Sequence, residues 1–280
     1  MHPSAFLQAL LTCVALASGA QAAAACSRPL QVPVSATGQS VIIADGEING
    51  IYPELLRSLG GKDGCEFVFM PVPRARQELL FETGKADLLV PATRTPRRDE
   101  FGIFVPLTRS RATIISLDAK RAPFKSAYDL IERKDVRVVL VRGFDYGQPY
   151  QELMEVLQRQ NRLLLESDPL AVARFLKANP GDVTIMAPII MVGAIQDDAR
   201  VSDLADRLRF DPIAELPWGE NGLYVSKTSV SKEDSAMLLS LFNRPAVAST
   251  LWKSFQTYYP AAALKAVSYT HLTLPTSDIV

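Results

Sequence analysis

Three arginines follow an apolar run in ADLLVPATRTPRR, residues 86–98. The run 86–92 has the composition of a buried strand. Thr95 followed by Pro96 is typical of a helix start, with a capping hydroxyl and a proline in the first turn. Arg98 then falls in the first helical turn, close to the end of the strand, where α/β proteins bind ligands. A guanidinium placed there could hold a carboxylate through two parallel hydrogen bonds.

The neighbouring cations have other interpretations. Arg98 could instead be a surface residue that pairs with the acidic residues directly after it, and we interpret Arg94 and Arg97 as solvated. Arg74 opens a helical pattern that also follows a strand, so it is a second candidate for ligand contact. Its alternative is a solvated first-turn residue.

A second candidate segment is RGFDYG, residues 142–147, which has a glycine near each end. It lies between a strand pattern and a helix pattern, where free backbone N–H groups can receive an anion. We therefore add four residues of this loop to the predicted ligand site: Gly143, Phe144, Asp145 and Tyr146.

Short apolar runs alternate with helical patterns along the chain. Strands are predicted at residues 30–35, 66–72, 86–92, 112–117, 136–141, 162–166 and 182–187. Such alternation is typical of parallel sheets with crossover helices. One set runs to about residue 110 and a second spans about 120–210, so the remaining segment is expected to rejoin the first set.

Composition restricts the possible partners. The chain has 280 residues, is 48% hydrophobic and carries a formal net charge of zero, which fits one or two globular domains. Lysine and arginine are interleaved with acidic residues, without the basic run typical of nucleic-acid binding, so no nucleic-acid partner is expected. The two histidines, His2 and His271, lie in terminal segments that we leave out of the mature domain.

The N-terminal segment, residues 1–22, has an apolar run followed by Ala20-Gln21-Ala22, a pattern typical of a cleaved signal peptide. An uncleaved anchor is the alternative. Cleavage leaves Cys26 and Cys65, and an even cysteine count in an exported protein favours a disulfide. Attachment of a lipid to Cys26 is the competing interpretation.

The C-terminal segment, residues 267–280, changes character after a helical pattern. It resembles translated adapter sequence found at the ends of unrelated predicted proteins. We interpret it as non-native and exclude it from fold reasoning.

Several motifs in a fixed order resemble the extracellular solute-binding proteins of family 3, the amino-acid-type periplasmic receptors of bacterial ABC transporters. The motifs are GEINGIYPELLRSLG, RARQELLFETGKADLLVPATRTPRRDEFGIFVPL, VRVVLVRGFDYG and GLYVSKTS. The most specific part is the series of G-K-x-D, apolar strand, T-P-x-R and phenylalanine–proline. The resemblance covers nearly all of residues 29–259.

This resemblance implies an α/β, two-lobed type II periplasmic-binding fold with two crossing hinge strands, near residues 111–118 and 211–219. Lobe 1 would comprise residues 26–112 plus 215–265, and lobe 2 residues 118–210. Such proteins close on a ligand held between the lobes.

The resemblance also implies roles for single residues. The arginine of T-x-x-R, here Arg98, grips the ligand carboxylate in this family, and the residue five positions earlier, here Thr93, adds a hydroxyl. Two features are missing, because Ala36 stands near the place of an aromatic platform and Ala187 near that of an acid that receives the α-ammonium group. A carboxylate-bearing solute is therefore expected, and whether it is a standard amino acid stays open.

The predicted function is that of a monomeric periplasmic solute-binding protein that needs no cofactor and delivers a small solute to an ABC permease in the inner membrane. One alternative is a ligand-sensing module for a signalling partner. Another is an enzyme, because cyclohexadienyl dehydratases and a class of lytic transglycosylases resemble these receptors. A domain without histidine is poorly suited to acid–base or metal chemistry, so we predict neither catalytic residues nor a metal site.

Overall fold

The computed structural model describes residues 26–117, 120–196, 198–259, 264 and 267–269. The predicted signal peptide, residues 1–22, lies outside the described residues, as does the C-terminal segment after residue 269. Both interpretations stay predictions.

Strands and helices alternate along most of the described chain. The strands are β1 Leu30–Val34, β2 Ile42–Ala44, β3 Glu47–Asn49, β4 Phe67–Pro71, β5 Leu88–Thr93, β6 Gly102–Ser110, β7 Thr113–Ser116, β8 Val138–Val141, β9 Leu163–Glu166, β10 Val183–Met186, β11 Arg209–Asp211, β12 Gly219–Ser226 and β13 Val267–Tyr269. The helices are α1 Ile51–Asp63, α2 Arg74–Glu82, α3 Pro96–Phe101, α4 Ala127–Glu132, α5 Gln148–Arg159, α6 Pro169–Ala178, α7 Pro188–Gln196, α8 Lys232–Phe242 and α9 Pro245–Tyr258, with a 3-10 helix at Ser202–Arg207.

The first lobe contains an antiparallel sheet in the order β13-β6-β12-β5, and a parallel pair of β1 with β4. A backbone hydrogen bond of 2.8 Å from Asp87 N to Gln31 O ties β1 to the chain that enters β5. An apolar core lies mainly in this lobe, includes side chains of α1, α8 and α9, and extends to Ala187 and Ile189 of the second lobe.

The second lobe is a single sheet in the order β11-β7-β10-β8-β9. Strands β8, β9 and β10 run parallel, and β7 and β11 run antiparallel to their neighbours. All residues of β7, β8 and β10 are buried. Central strands covered on both faces by helices are typical of α/β proteins.

The chain passes between the two sheets twice. Residues 111–112 join β6 of the first lobe to β7 of the second, and residues 212–218 join β11 to β12. The predicted two-lobed fold with two crossings is therefore confirmed. The first crossing is shorter than the predicted 111–118, because Thr113–Ser116 is already paired in the second sheet.

Local sequence signals explain how the helix next to the cleft begins. The Thr95 hydroxyl accepts a hydrogen bond of 3.3 Å from the backbone N–H of Arg98, and Pro96 occupies the first turn of α3. This is the predicted arrangement, and it fixes Arg98 beside the end of β5.

A disulfide joins Cys26 to Cys65 across 39 residues, so the predicted pairing is confirmed. It ties the start of the described chain to the residue that follows the C-cap of α1. A sulfur in a disulfide cannot also carry a lipid, so the alternative interpretation of Cys26 does not apply to this form.

One further observation concerns the C-terminal end of the described chain. Strand β13, at the start of the segment that we excluded from the fold, pairs antiparallel with β6. The origin of that segment stays a prediction.

Within the described residues, no helix has the length and apolar character needed to cross a bilayer.

Candidate ligand-binding cleft

A cleft between the two lobes encloses about 600 Å³, counted with the solvent at its mouth. The first lobe contributes two arginines and a set of polar side chains: Arg74, Arg98, Thr37, Ser40, Tyr52, Thr93, Thr108, Ser110 and Asn221. The second lobe contributes Phe144, Asp145, Tyr146, Ala187, Ile189 and Ile190. The structure thus brings six of the seven predicted ligand residues to one cleft, and Gly143 lines the pocket beside it.

The two cleft arginines share one carboxylate, that of Glu78 in α2. Arg98 donates to both oxygens of Glu78, from Nη2 at 2.8 Å and from Nε at 3.1 Å. Arg74 Nη2 donates to Glu78 Oε1 at 2.5 Å. The side chains of Arg74, Arg98 and Glu78 are only 6%, 3% and 14% exposed, so the three charges lie together out of water.

Further hydrogen bonds hold this Arg74–Glu78–Arg98 cluster against strand β5. Arg98 Nη1 donates to the carbonyl of Thr93 at 2.7 Å, and Arg74 Nη1 donates to the carbonyl of Pro91 at 2.9 Å. The Nε of Arg74 is buried without a hydrogen-bond partner. The two surface interpretations are therefore wrong, because Arg98 is buried on Glu78 rather than on Asp99 or Glu100, and Arg74 is buried as well.

The pKa values of the cluster follow from burial and mutual attraction. Burial alone would raise the pKa of Glu78, but the two guanidiniums outweigh it and hold that pKa below its ordinary value. Burial lowers the pKa of Arg74, and the positive charge of Arg98 adds to this effect. For Arg98, burial is outweighed by Glu78, so its pKa is raised. The cluster thus holds two positive charges and one negative charge, and Asp145 of the second lobe adds a further negative charge that acts on Arg98.

A chain of polar side chains runs along the first-lobe wall. The Thr93 hydroxyl donates to Asn221 Oδ1 at 2.8 Å, and Asn221 Nδ2 donates to the Ser110 hydroxyl at 2.8 Å. Tyr52 is hydrogen-bonded to Thr108 farther along the same wall. These hydroxyls lie in the cleft with their positions set by one another, so they are ordered before any ligand arrives.

The second-lobe loop approaches the first lobe closely at Gly143. This glycine has a φ of +89°, and a Cβ there would lie 2.8 Å from the backbone N of Ala75. Only glycine fits this contact between lobes without strain.

Two backbone N–H groups of the same loop donate hydrogen bonds within it. The N–H of Phe144 donates to Val141 O at 3.1 Å, and that of Gly147 donates to Asp145 Oδ1 at 2.8 Å. These two groups are therefore not positioned to receive an anion, and the prediction from the glycine pattern now concerns the other N–H groups of the loop. The loop also contributes side chains to the cleft.

Apolar and aromatic groups make up most of the second-lobe wall. Ala187, Ile189 and Ile190 line it, and the Tyr146 hydroxyl accepts a hydrogen bond of 3.3 Å from the N–H of Ala187. An acidic side chain is absent at Ala187, as the sequence indicates, and Ala187 does line the cleft. The described lining residues do not include Ala36, and the aromatic residues on the first-lobe side are Tyr52 and Phe255.

The two lobes also meet between the loop at Gly38 and helix α7. Gln39 Nε2 donates to the carbonyl of Gly193 at 3.2 Å, and the backbone N–H of Gln39 donates to the Tyr259 hydroxyl at 3.1 Å. A Cβ on Gly193 would lie 2.6 Å from Gln39 N. The two lobes therefore touch here as well as at Gly143.

The remaining arginines of the opening segment lie outside the cleft. The side chain of Arg94 is 53% exposed and pairs with Asp99 and Glu220, and that of Arg97 is 62% exposed and pairs with Glu82. Both agree with their interpretation as solvated residues.

Sequence reasoning missed two central residues. Glu78 lies four positions after Arg74 on α2, a spacing that places charged partners on one helix face and could have indicated the pair. Asn221 is 128 residues from its partner Thr93, and no local pattern indicates their contact.

Solved structures with known descriptions share this fold. The sensor domain of a histidine kinase with similarity to periplasmic binding proteins matches with a TM-score of 0.62 and 20% identity, over 87% of this chain and 98% of that one. A putative L-cystine ABC transporter protein from Listeria monocytogenes matches with a TM-score of 0.65 and 15% identity, over 84% and 97%. An ancestral amino-acid-binding protein described as a precursor of cyclohexadienyl dehydratase matches with a TM-score of 0.61 and 17% identity, over 83% and 95%.

These likenesses show that the chain has the fold of periplasmic binding proteins, in agreement with the resemblance found in the motifs. No protein-family model and no curated protein sequence matches the chain.

Proposed function

We propose that this protein is a periplasmic solute-binding protein that captures a small carboxylate-bearing solute between its lobes and presents it to an ABC permease. The observation that carries the proposal is the buried Arg74–Glu78–Arg98 cluster in a cleft lined by both lobes. A cleft of this kind closes when a ligand contacts both of its walls at once.

The hydrogen-bond donors of the cluster support an acidic ligand. Two guanidiniums share one carboxylate within the cluster, and the buried Nε of Arg74 still has a hydrogen to donate. A ligand carboxylate would supply an acceptor for the guanidinium groups. Charge-assisted hydrogen bonds of this type are among the stronger polar contacts in proteins.

The location is proposed from one sequence feature and one covalent bond. The N-terminal pattern is typical of export, and the disulfide between Cys26 and Cys65 suits an oxidising compartment. We propose that the mature chain acts in the periplasm as a monomer, without cofactor or catalytic residues.

A sensing role is a second candidate, because this chain matches 98% of the length of a histidine kinase sensor domain. The same cleft would then report the solute to a signalling partner. Measuring solute uptake by cells that lack the gene separates the two roles, since loss of uptake favours transport and unchanged uptake favours sensing.

The binding proposal is tested by titration calorimetry of the protein with a panel of small carboxylates. Arg98→Ala is expected to weaken binding tenfold or more, because a lost charge-assisted contact costs about 1.5 to 3 kcal/mol. Arg97→Ala is the matched control, since Arg97 is the preceding residue of α3 and pairs only with Glu82 among the described groups. Arg97→Ala is expected to leave the affinity unchanged.

Because Arg98 also bonds Glu78 and Thr93, Arg98→Ala could lose its fold, which thermal melting would reveal. Arg98→Lys keeps the charge without the forked geometry and serves as the second variant. Equal affinity in the wild type and both folded Arg98 variants would contradict the site, and failure of every carboxylate to bind would contradict the function.

A further inference from the structure

The two arginines of the cluster differ in how much of each guanidinium group is already bonded. In Arg98, Nε and Nη2 donate to the two oxygens of Glu78 at 3.1 and 2.8 Å, and Nη1 donates to the Thr93 carbonyl at 2.7 Å. The edge formed by Nε and Nη2 is one on which a guanidinium binds a carboxylate through two parallel hydrogen bonds. In Arg98 this edge is occupied by Glu78.

The same edge of Arg74 is open at one nitrogen. Its Nη1 donates to the Pro91 carbonyl at 2.9 Å and to Gln77 Oε1 at 3.2 Å, and its Nη2 donates to Glu78 Oε1 at 2.5 Å. Its Nε is buried and has no hydrogen-bond partner among the described residues. A buried donor without a partner costs free energy, and a ligand oxygen bound at Nε would remove that cost.

Gln77 holds the guanidinium of Arg74 in this orientation. It lies three residues after Arg74 on α2, and its side chain is fully buried. Its Nε2 donates to the Val90 carbonyl at 3.0 Å, and its Oε1 accepts from Arg74 Nη1 and from the Ser35 hydroxyl, at 3.2 and 3.0 Å. Because this amide engages Nη1, the Nε side of the guanidinium is left for a ligand.

Arg74 also lies where the second lobe meets the first. A Cβ on Gly143 would lie 2.8 Å from Ala75 N and 3.1 Å from the backbone carbonyl carbon of Arg74, so the second-lobe loop lies against the start of α2. Tyr146 of the same loop and Arg74 both line the cleft. An anion bound at Arg74 would therefore lie at the junction of the two lobes.

We propose that Arg74 binds the ligand carboxylate directly, through Nε and Nη2, and that Gln77 is the positioning residue for Arg74. Arg98 then acts through Glu78, whereas the sequence resemblance implies that Arg98 itself grips the carboxylate. Arg98→Ala weakens binding on this account too, because Glu78 would then neutralise Arg74 alone. The proposal rests on the binding function proposed above and specifies which residues of the same cleft carry it out.

The test compares two substitutions that keep the charge and remove the fork, Arg74→Lys and Arg98→Lys. The probe is the carboxylate of the panel that binds the wild type most tightly, measured by calorimetry at pH 7. Arg74→Lys is expected to weaken binding about tenfold or more, and Arg98→Lys about threefold or less, because Glu78 keeps a cationic partner. A loss in Arg98→Lys that equals or exceeds the loss in Arg74→Lys would overturn the assignment. Failure of the whole panel to bind would overturn the function instead.

Gln77→Met tests the positioning role, since it keeps the length of the side chain and removes its acceptor. It is expected to weaken binding of the same carboxylate about fivefold or more in the wild-type background, and to have no further effect in the Arg74→Lys background. Ser35→Ala is the matched control, because it removes the other donor to Gln77 Oε1 and should leave the affinity within about twofold. An equal loss in both backgrounds would overturn the positioning role.

If one of these variants does not fold, the wild-type complex decides. Its crystal structure with the same carboxylate should place a carboxylate oxygen within about 3 Å of Arg74 Nε, with Nη1 still bonded to Gln77. A carboxylate that bonds Arg98 and not Arg74 would overturn the assignment and leave the binding function standing.

Discussion

The two walls of the cleft differ in what holds them in place and in what they offer a ligand. The first-lobe wall has buried charges and hydroxyls that are fixed by bonds among themselves, such as those from Arg98 to Glu78 and from Thr93 to Asn221. The second-lobe wall is mainly apolar and meets the first lobe through small residues such as Gly143 and Gly193. Under the proposed function, the first lobe recognises the polar groups of the solute and the second lobe covers them.

The largest expected effect concerns the buried charges of the first wall. Glu78→Gln leaves Arg74 and Arg98 without their shared carboxylate, and breaking a buried pair in this way costs about 3 to 5 kcal/mol of unfolding free energy. Glu82→Gln is the control on the same helix, because Glu82 pairs with the exposed Arg97 and should cost about 0 to 1 kcal/mol. Urea denaturation at pH 7 measures both. Similar losses of unfolding free energy in the two variants would show that the cluster stabilises the fold no more than an exposed ion pair does.

The pH dependence of the unfolding free energy, compared between the wild type and Glu78→Gln, sharpens this result. The folded-state pKa of Glu78 lies below its ordinary value of 4.5, so its charge stabilises the fold fully above pH 4.5. That contribution is lost as the pH falls through the lower, folded-state pKa. The stability difference between the wild type and Glu78→Gln should therefore shrink as the pH falls below 4.5, and a constant difference would contradict the assignment.

An intermediate effect is expected where the two walls meet. Gly193→Ala places a Cβ 2.6 Å from Gln39 N and 2.9 Å from the Tyr259 hydroxyl. These groups belong to the first lobe, so a wider cleft relieves the clash, and ligand affinity should fall about tenfold while the melting temperature changes little. Small-angle scattering should show a larger radius of gyration.

Gly61→Ala is the matched control for this substitution. Gly61 is also a helical glycine, in α1, and a Cβ there meets nothing within 4 Å. It should leave the affinity and the radius of gyration unchanged. Unchanged affinity in Gly193→Ala would contradict the role of this contact in closure.

The smallest effect is expected outside both walls. Arg94→Ala removes a side chain that is 53% exposed and pairs with Asp99 and Glu220 at 3.2 and 3.3 Å. Exposed pairs contribute about 0 to 1 kcal/mol, so unfolding free energy should change by no more than that. Ligand affinity measured by calorimetry should stay within about twofold of the wild type. A tenfold loss would show that the cleft extends to this surface.

The sequence predicts those parts of this arrangement that depend on local patterns. The capping of α3 by Thr95, and with it the place of Arg98, follows from neighbouring residues. The two-lobed fold follows from the order of several motifs, and the disulfide from the cysteine count.

The remaining features depend on contacts between distant residues. The partner of Arg98 is Glu78, which lies 20 residues earlier on another helix, and Gly193 meets Gln39 across 154 residues. Their meeting is set by how the lobes and helices pack, and single-sequence patterns carry little information on such packing. The engaged N–H groups of Phe144 and Gly147 show the same limit, because a glycine pattern does not reveal where a loop directs its hydrogen bonds.

The central claim is that a ligand carboxylate binds at the buried arginines of the first wall. A crystal structure of the protein with the tightest-binding carboxylate of the panel tests it most directly. We predict that both lobes contact the ligand and that its carboxylate oxygens lie within about 3 Å of the guanidinium nitrogens of Arg74 or Arg98. A carboxylate that points to solvent or to the second-lobe wall, with neither arginine in hydrogen-bond contact, would contradict the account.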